Sequence, residues 1–349
     1  MFRRLAALVI VFALCSGLFT NSFAAENSKS NIELDGKKLE TMATVTDDGV
    51  MVPLRSISEA AGFKVQWSGV DKSITVSKPG KTIVLKLDDY NITMNDHETN
   101  MSAAPQIING STYVPSEFVT DGLGLAAKWD KDNEKLTLKS VKENSVIVNT
   151  KKEISDDGTL SLNIQYPELQ GLDNLEVQNK INSFFAKAAS DAKAEGISNE
   201  KELSEDEIAR QVKVEEDLNY TTEYNQDGIL SVTVLDFQYS GGAHGLTIQS
   251  SVTFDLKTGE EYKLKDLFKD NTDYVSLVSG EIKKQMDEKG LTQSLLLPFD
   301  AIKSDQDFYI NNGALVIYFQ EDDCFPYVFG IQEFPIEPSS LKDSMKLIL

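Results

Sequence analysis

The chain has 349 residues, with 34 Lys+Arg against 55 Asp+Glu and a formal net charge of −21. A surface this acidic repels nucleic acid and anionic polymers, and it attracts cations and basic proteins. At 41 % hydrophobic residues the chain has the composition of an ordinary globular protein, and it is long enough for two or three domains.

The first element is an export signal over residues 1–24. Arg3 and Arg4 supply a positive start, Leu5 to Phe19 an apolar run, and Ser22-Phe23-Ala24 a cleavage site before Ala25. The run is about 15 residues, short of the roughly 20 that a spanning helix needs. A secreted, cell-wall-associated protein is therefore expected, with no stable membrane insertion after cleavage. Leu14 stands where a lipoprotein signal wants a small residue before Cys15. With Cys15 removed, Cys324 has no partner for an intrachain disulfide. Glu321, Asp322 and Asp323 precede it, and neighbouring carboxylates make a thiol a poor nucleophile.

Residues 25–140 contain a duplication. Val52-Pro53-Leu54-Arg55, Gly62 and Trp67 return in relaxed form as Val114-Pro115-Ser116-Glu117, Gly124 and Trp129, each shifted by 62 positions, as Ile74 is to Leu136. A supersecondary unit that occurs twice suits a scaffold or binding module better than a single active site. Each copy predicts a strand, a turn (Asp47-Asp48-Gly49; Asn109-Gly110), and a helix opened by the Val-Pro pair. The apolar stripes are Leu54, Ile57, Ala60 and Ala61, then Phe118, Val119 and Leu123. Gly62 and Gly124 fall where a helix end needs positive φ. A hairpin follows, with Trp67 and Ile74, or Trp129 and Leu136, expected on buried faces. Asp130, Asp132 and Glu134 alternate like the start of a calcium loop. Lys135 stands where that loop needs Gly, so a plain hairpin turn is predicted and no metal.

This pattern, over roughly Asn31 to Ser140, resembles the copper amine oxidase N-terminal-like domain, a duplicated stalk remote from copper in the oxidases. The resemblance implies a small α+β module and no oxidase. A copper site needs clustered imidazoles, and the chain has His97 and His244 alone, far apart.

Ser140 to Asn144 is a polar seam, and beyond it no repeat appears. The pattern predicts a strand over Thr159 to Tyr166, then a helix carrying Leu175, Ile181, Phe184, Phe185 and Ala188 and ending near Gly196. Ser204-Glu205-Asp206-Glu207 is a capping box. Hairpins are expected over Tyr220–Tyr239, Leu246–Leu264 and Phe308–Phe319, with a helix through Val275, Val278, Ile282 and Met286 stopped at Gly290. Together with the repeats this is an α+β protein, in which a duplicated small stalk module precedes an α+β domain of antiparallel hairpins packed with helices.

Between two strands lies Ser240-Gly241-Gly242-Ala243-His244-Gly245. Its glycines allow backbone that other residues resist, either as a ligand-facing loop with one imidazole or as a tight strand connection. Gly-Gly-Ala-His-Gly, Phe254-Asp255-Leu256-Lys257-Thr258-Gly259, Leu267-Phe268, Phe308-Tyr309, Leu315-Val316-Ile317 and Pro326-Tyr327 with Gly330 together resemble a domain of unknown function. That domain stands at the extracellular end of the lysozyme-sensing anti-sigma-V factors and beside the catalytic domain of peptidoglycan deacetylases of the PdaC type. A companion region matches about Val146 to Tyr239. The resemblance divides the second half at 141–240 and 241–349. It implies the extracellular binding part alone, without the segment that holds a sigma factor and without the deacetylase's metal domain.

The residues expected to shape a binding surface are Gly241, Gly242, His244, Gly245, Pro326 and Tyr327. No catalytic residue, metal ligand or cofactor is assigned. No Gly-x-Ser-x-Gly elbow, phosphate loop or dinucleotide fingerprint occurs. The expected partner is a basic extracellular protein of the lysozyme kind, or peptidoglycan, and not nucleic acid. A structural wall protein and a carboxylate-dependent peptidoglycan-active enzyme are the alternative readings.

Overall fold

The computed structural model describes residues 29–46, 49–95, 97–130, 132–311, 313–341 and 343–346. The expected export segment, Cys15, and Asp47 and Asp48 of the first expected turn lie outside them. No helix among the described residues is long and apolar enough to cross a membrane.

The N-terminal half runs β1 (Lys29–Leu34), β2 (Lys37–Thr46), β3 (Gly49–Pro53), α1 (Leu54–Ala60), β4 (Lys64–Ser68), β5 (Ser73–Lys78), β6 (Lys81–Lys86), β7 (Asn91–Met94) and β8 (His97–Asn100). It continues with β9 (Gln106–Ile108), β10 (Ser111–Pro115), a π-helical turn (Phe118–Gly122), β11 (Leu125–Asp130) and β12 (Lys135–Ser140). Two sheets result, ordered β11-β12-β1-β2-β3-β10-β9 and β4-β5-β6-β7-β8.

The duplication explains the larger sheet. β3 and β10 are equivalent strands, and they pair antiparallel with Val52 opposite Val114, Pro53 opposite Tyr113 and Met51 opposite Pro115. Val114 is the counterpart of Val52, so a local twofold axis passes between the copies, as at an isologous interface. The second copy's last strand then closes beside the first copy's first strand, β12 running parallel to β1. One core holds residues of both copies, including Ile32, Leu54, Ile57, Val114, Phe118 and Leu136.

Local expectations hold where packing agrees with periodicity. Gly62 and Gly124 have φ of 84° and 70°. Leu54, Ile57, Phe118, Val119 and Leu123 are buried, whereas Ala60 faces solvent; Phe63, just beyond the helix, is buried in the core. The second copy, which has Ser116-Glu117 for Leu-Arg, forms no α-helix. Its turn widens, with the Leu123 N–H donating to the Phe118 carbonyl five residues back. Trp67 is a correction. It pairs with buried Ile74 as its counterpart Trp129 pairs with Leu136, yet it is 48 % exposed. Trp67 on β4 and Trp129 on β11 both lie on edge strands; Trp129 packs partly against the core, and Trp67 does not. The Asp130 carboxylate caps its own hairpin turn, accepting from the N–H groups of Asp132 and Asn133.

The second half begins with β13 (Ile147–Asp156) and β14 (Leu160–Gln170), then α2 (Leu175–Lys201), α3 (Glu205–Ala209), β15 (Val214–Gln226), β16 (Ile229–Tyr239) and β17 (Leu246–Asp255). These five strands lie in sequence order, so residues on either side of position 240 share one sheet. β14 and β15 are parallel, unlike the expected run of antiparallel hairpins. A long helix joins them, and a helical crossover returns the chain in the same direction. α2 does not stop at Gly196. It continues to Lys201, and Gly196 lets it approach the sheet, where a Cβ would lie 3.0 Å from the Glu216 Cβ and 3.1 Å from Leu162. The buried stripe is Val177, Ile181, Phe185, Ala189 and Ala192, while Leu175 and Phe184 are exposed. Asn174 caps α2 by accepting from the N–H groups of Glu176 and Val177. Asn174→Ala should cost about 1 kcal/mol, read as a lowered unfolding midpoint.

The chain then forms α4 (Tyr274–Glu288) and a second, three-stranded sheet of β18 (Phe308–Asn311), β19 (Ala314–Phe319) and β20 (Gln332–Ile336), before α5 (Pro338–Leu341). The expected partner strand for Leu246–Asp255 shrinks to one bridge between Phe254 and Glu261. Val278, Ile282 and Met286 of α4 pack on the three-stranded sheet in a separate core. The capping box at Ser204 makes both of its hydrogen bonds, and Gly290 has φ of 67°.

Candidate functional site

The glycine loop closes the β16–β17 hairpin, whose last pair is Gln238 with Leu246. Gly241 and Gly242 have φ of 98° and 109°, where other residues are strained. Gly245 is required for space, because a Cβ there would lie 2.3 Å from the Phe237 ring and 2.8 Å from the Gln238 carbonyl. This tight corner turns His244 to the surface.

The structure brings Tyr327 to the same place from 83 positions along the chain. Pro326 opens the single 3-10 turn Tyr327–Phe329, and its carbonyl accepts from the Phe329 N–H. The Tyr327 ring stacks on the His244 imidazole, centroids 4.0 Å apart at 27°. The Tyr327 hydroxyl donates to the Gly245 carbonyl at 3.1 Å, and His244 Nδ1 reaches the same carbonyl at 3.0 Å. A carbonyl only accepts, so Nδ1 carries hydrogen and the neutral ring offers Nε2 as its acceptor. Of the six expected residues, His244, Gly245 and Tyr327 are in contact and Pro326 presents the tyrosine. Gly241 and Gly242 shape the far side of the loop; Gly241 faces Val212 and Glu207.

The stack is exposed and ringed by acid. Glu321 accepts from the Thr247 N–H at 3.5 Å. Partial burial raises its carboxyl against the pull of the Thr247 N–H, and Asp322 adds to the rise. Partial burial, then Glu321 and Asp322, raise the Tyr327 hydroxyl. Val328, 78 % exposed, projects beside Tyr327. Periodicity missed Glu321 and Val328 as surface partners. The available signal was the apolar Pro-Tyr-Val-Phe run directly after a block of acids. Cys324 is half-buried, and burial, then Asp323, push its thiol up, as an inert thiol requires.

Comparison with known proteins supports the resemblances seen in the sequence. Residues 33–138 match the copper amine oxidase N-terminal domain, residues 153–247 the deacetylase PdaC region, and residues 265–339 a protein of unknown function, DUF3298. The chain is 30 % identical over 188 residues to the anti-sigma-V factor RsiV of Bacillus subtilis, covering 50 % of this chain and 62 % of that one. It is 29 % identical over 119 residues to a protease inhibitor of Brevibacillus choshinensis, covering 32 % and 36 %. It is 28 % identical over 123 residues to the Bacillus subtilis peptidoglycan-N-acetylmuramic acid deacetylase PdaC, covering 34 % and 26 %. The chain spans less than two thirds of the length of each of these relatives. Its domain composition is thus the duplicated oxidase-type module followed by the PdaC and DUF3298 regions. The His244–Tyr327 stack joins the last two.

Proposed function

We propose that this is a non-catalytic, secreted, wall-associated protein that binds a basic extracellular protein of the lysozyme kind through the His244–Tyr327 surface. The observation that carries this is the stack itself. Two residues far apart in sequence share one carbonyl, stand exposed, and are bordered by Glu321 and Asp322. Exposed aromatic anchors within an acidic rim suit a cationic partner, because opposite fields speed encounter and set orientation. Relatives named as an anti-sigma-V factor and a protease inhibitor support a binding role. Catalysis finds less support at this site. His244 is held by a carbonyl and a tyrosine ring, not by the carboxylate that orients a catalytic base.

The test is surface plasmon resonance of the full chain on lysozyme at low and high salt. His244→Ala and Tyr327→Ala should each weaken binding about tenfold, in the range of a hot-spot truncation, with unchanged circular dichroism. Affinity should fall steeply with salt. Co-sedimentation with purified peptidoglycan, without a salt-sensitive protein partner, would favour the structural wall reading instead.

A further inference from the structure

A cleft of about 530 Å³ lies between the N-terminal module and the second half, and none of the six surface residues lines it. Its volume falls in the range of small-molecule sites, roughly 300–1,000 Å³. β8 makes the joint beside it. His97 stacks on Tyr220 at 4.4 Å, Lys152 pairs with Glu98 at 2.7 Å, and the Glu98 N–H donates to Gln165. The two halves are therefore docked, and the cleft has fixed walls.

The lining is strongly one-signed. Glu117, Asp121, Glu143, Glu223 and Glu333 face it, and Lys81 is the sole lysine or arginine among the described residues that line it. Lys81 is committed to Glu143 at 3.4 Å. Gly124 leaves room for that pair, since a Cβ there would lie 2.3 Å from a Glu143 oxygen. The other four carboxylates are held in place by the protein: Glu117 by the Ser102 N–H, Asp121 by Thr120, Glu223 by Thr233 and Asn311, and Glu333 by Gln249. Tyr224 and Tyr309 add aromatic walls. A second observation points to a ligand. His97 is 5 % exposed and forms part of the cleft wall, and its Nδ1 has no hydrogen-bond partner. An unsatisfied buried polar atom is costly, so a native one asks for an occupant.

We propose that this cleft binds a small organic polycation bearing primary ammonium groups. Carboxylates spread along the walls fit an extended amine better than a compact metal ion, and among the described residues no three potential ligands converge as a metal site requires. Ammonium groups donate to carboxylates and to a neutral imidazole, and they lie favourably against tyrosine faces. Burial pushes Glu223 up to about 7, with Glu333 and Asp121 adding to the shift. An arriving cation favours the ionised form, so binding should release protons and tighten from mildly acidic to mildly alkaline buffer.

Titration calorimetry on the full chain tests this with hexamethylenediamine as probe and hexamethylene glycol as its uncharged analogue. The diamine should bind saturably at one site, and the glycol should give no heat. Asp121→Asn with Glu223→Gln should weaken the diamine at least tenfold, and His97→Phe, which keeps the stack on Tyr220, about threefold. Glu321→Gln with Asp322→Asn, outside the cleft, should leave it unchanged. Equal binding of both probes, or diamine binding unaffected by the cleft variants when their unfolding midpoints match the parent, would overturn the proposal. So would loss of diamine binding in the Glu321 and Asp322 variant alone. None of these outcomes bears on the lysozyme measurement, which reads a different surface.

Discussion

Glu216→Gln should stabilise the protein by about 1–3 kcal/mol in mildly alkaline buffer and change it little near about pH 4. Glu216 is fully buried, between Leu162 of β14 and Gln238 of β16 and beneath α2 at Gly196. Neither of its carboxyl oxygens has a hydrogen-bond partner, nor does Asp236 Oδ1. Burial first, then the neighbouring Asp236 carboxyl, with Glu195 and Asp217 behind, push Glu216 well above its ordinary 4.5. The sign follows from linkage. The folded state holds this proton more tightly than the unfolded chain, so the group's contribution is complete below about 4.5 and drains away as pH rises toward the folded value. Glutamine keeps the shape, cannot ionise, and offers Asp236 a donor. Chemical denaturation at the two pH values checks this. An equal gain at both would mean that ionisation is not the cause, and a loss at alkaline pH would reverse the sign.

Gly245→Ala should lower stability by about 1–3 kcal/mol through overpacking and should remove more lysozyme binding than His244→Ala does. The added methyl would overlap the Phe237 ring at 2.3 Å and meet the Gln238 carbonyl at 2.8 Å. The ring or the corner must shift, and the carbonyl that holds both His244 and Tyr327 shifts with it. His244→Ala removes one exposed ring and leaves that corner intact. Paired denaturation curves and binding isotherms separate the two effects. If Gly245→Ala unfolds and binds like the parent, the corner does not organise the surface. If His244→Ala unfolds the domain, the histidine serves the fold and not a partner.

Much of the architecture was legible because local signals and packing agreed. The repeat offset located equivalent strands, both C-terminal glycines and the buried pair Ile74 and Leu136. The capping box at Ser204 and the stop at Gly290 are local chemistry and needed no tertiary context. Errors arose where burial depends on neighbours distant in sequence. Trp67 alternates correctly, yet it stays half exposed while Trp129, also on an edge strand, packs against the core. Gly196 has the chemistry of a helix stop, yet it serves a close helix–sheet approach. β20 escaped notice because Pro335 interrupts its pattern, and it pairs only at the sheet's margin.

The sequence by itself determined the acidic charge, the doubled module, the α+β class and the two glycine-dependent corners. All of these depend on composition, periodicity or backbone freedom over a few residues. Tertiary structure alone decided that Val52 meets Val114, that β14 and β15 run parallel, that Tyr327 lies on His244, and that five carboxylates from both halves face one cleft. Those contacts join residues tens to hundreds of positions apart. Which distant groups meet is set by how whole faces pack, and no local pattern encodes it.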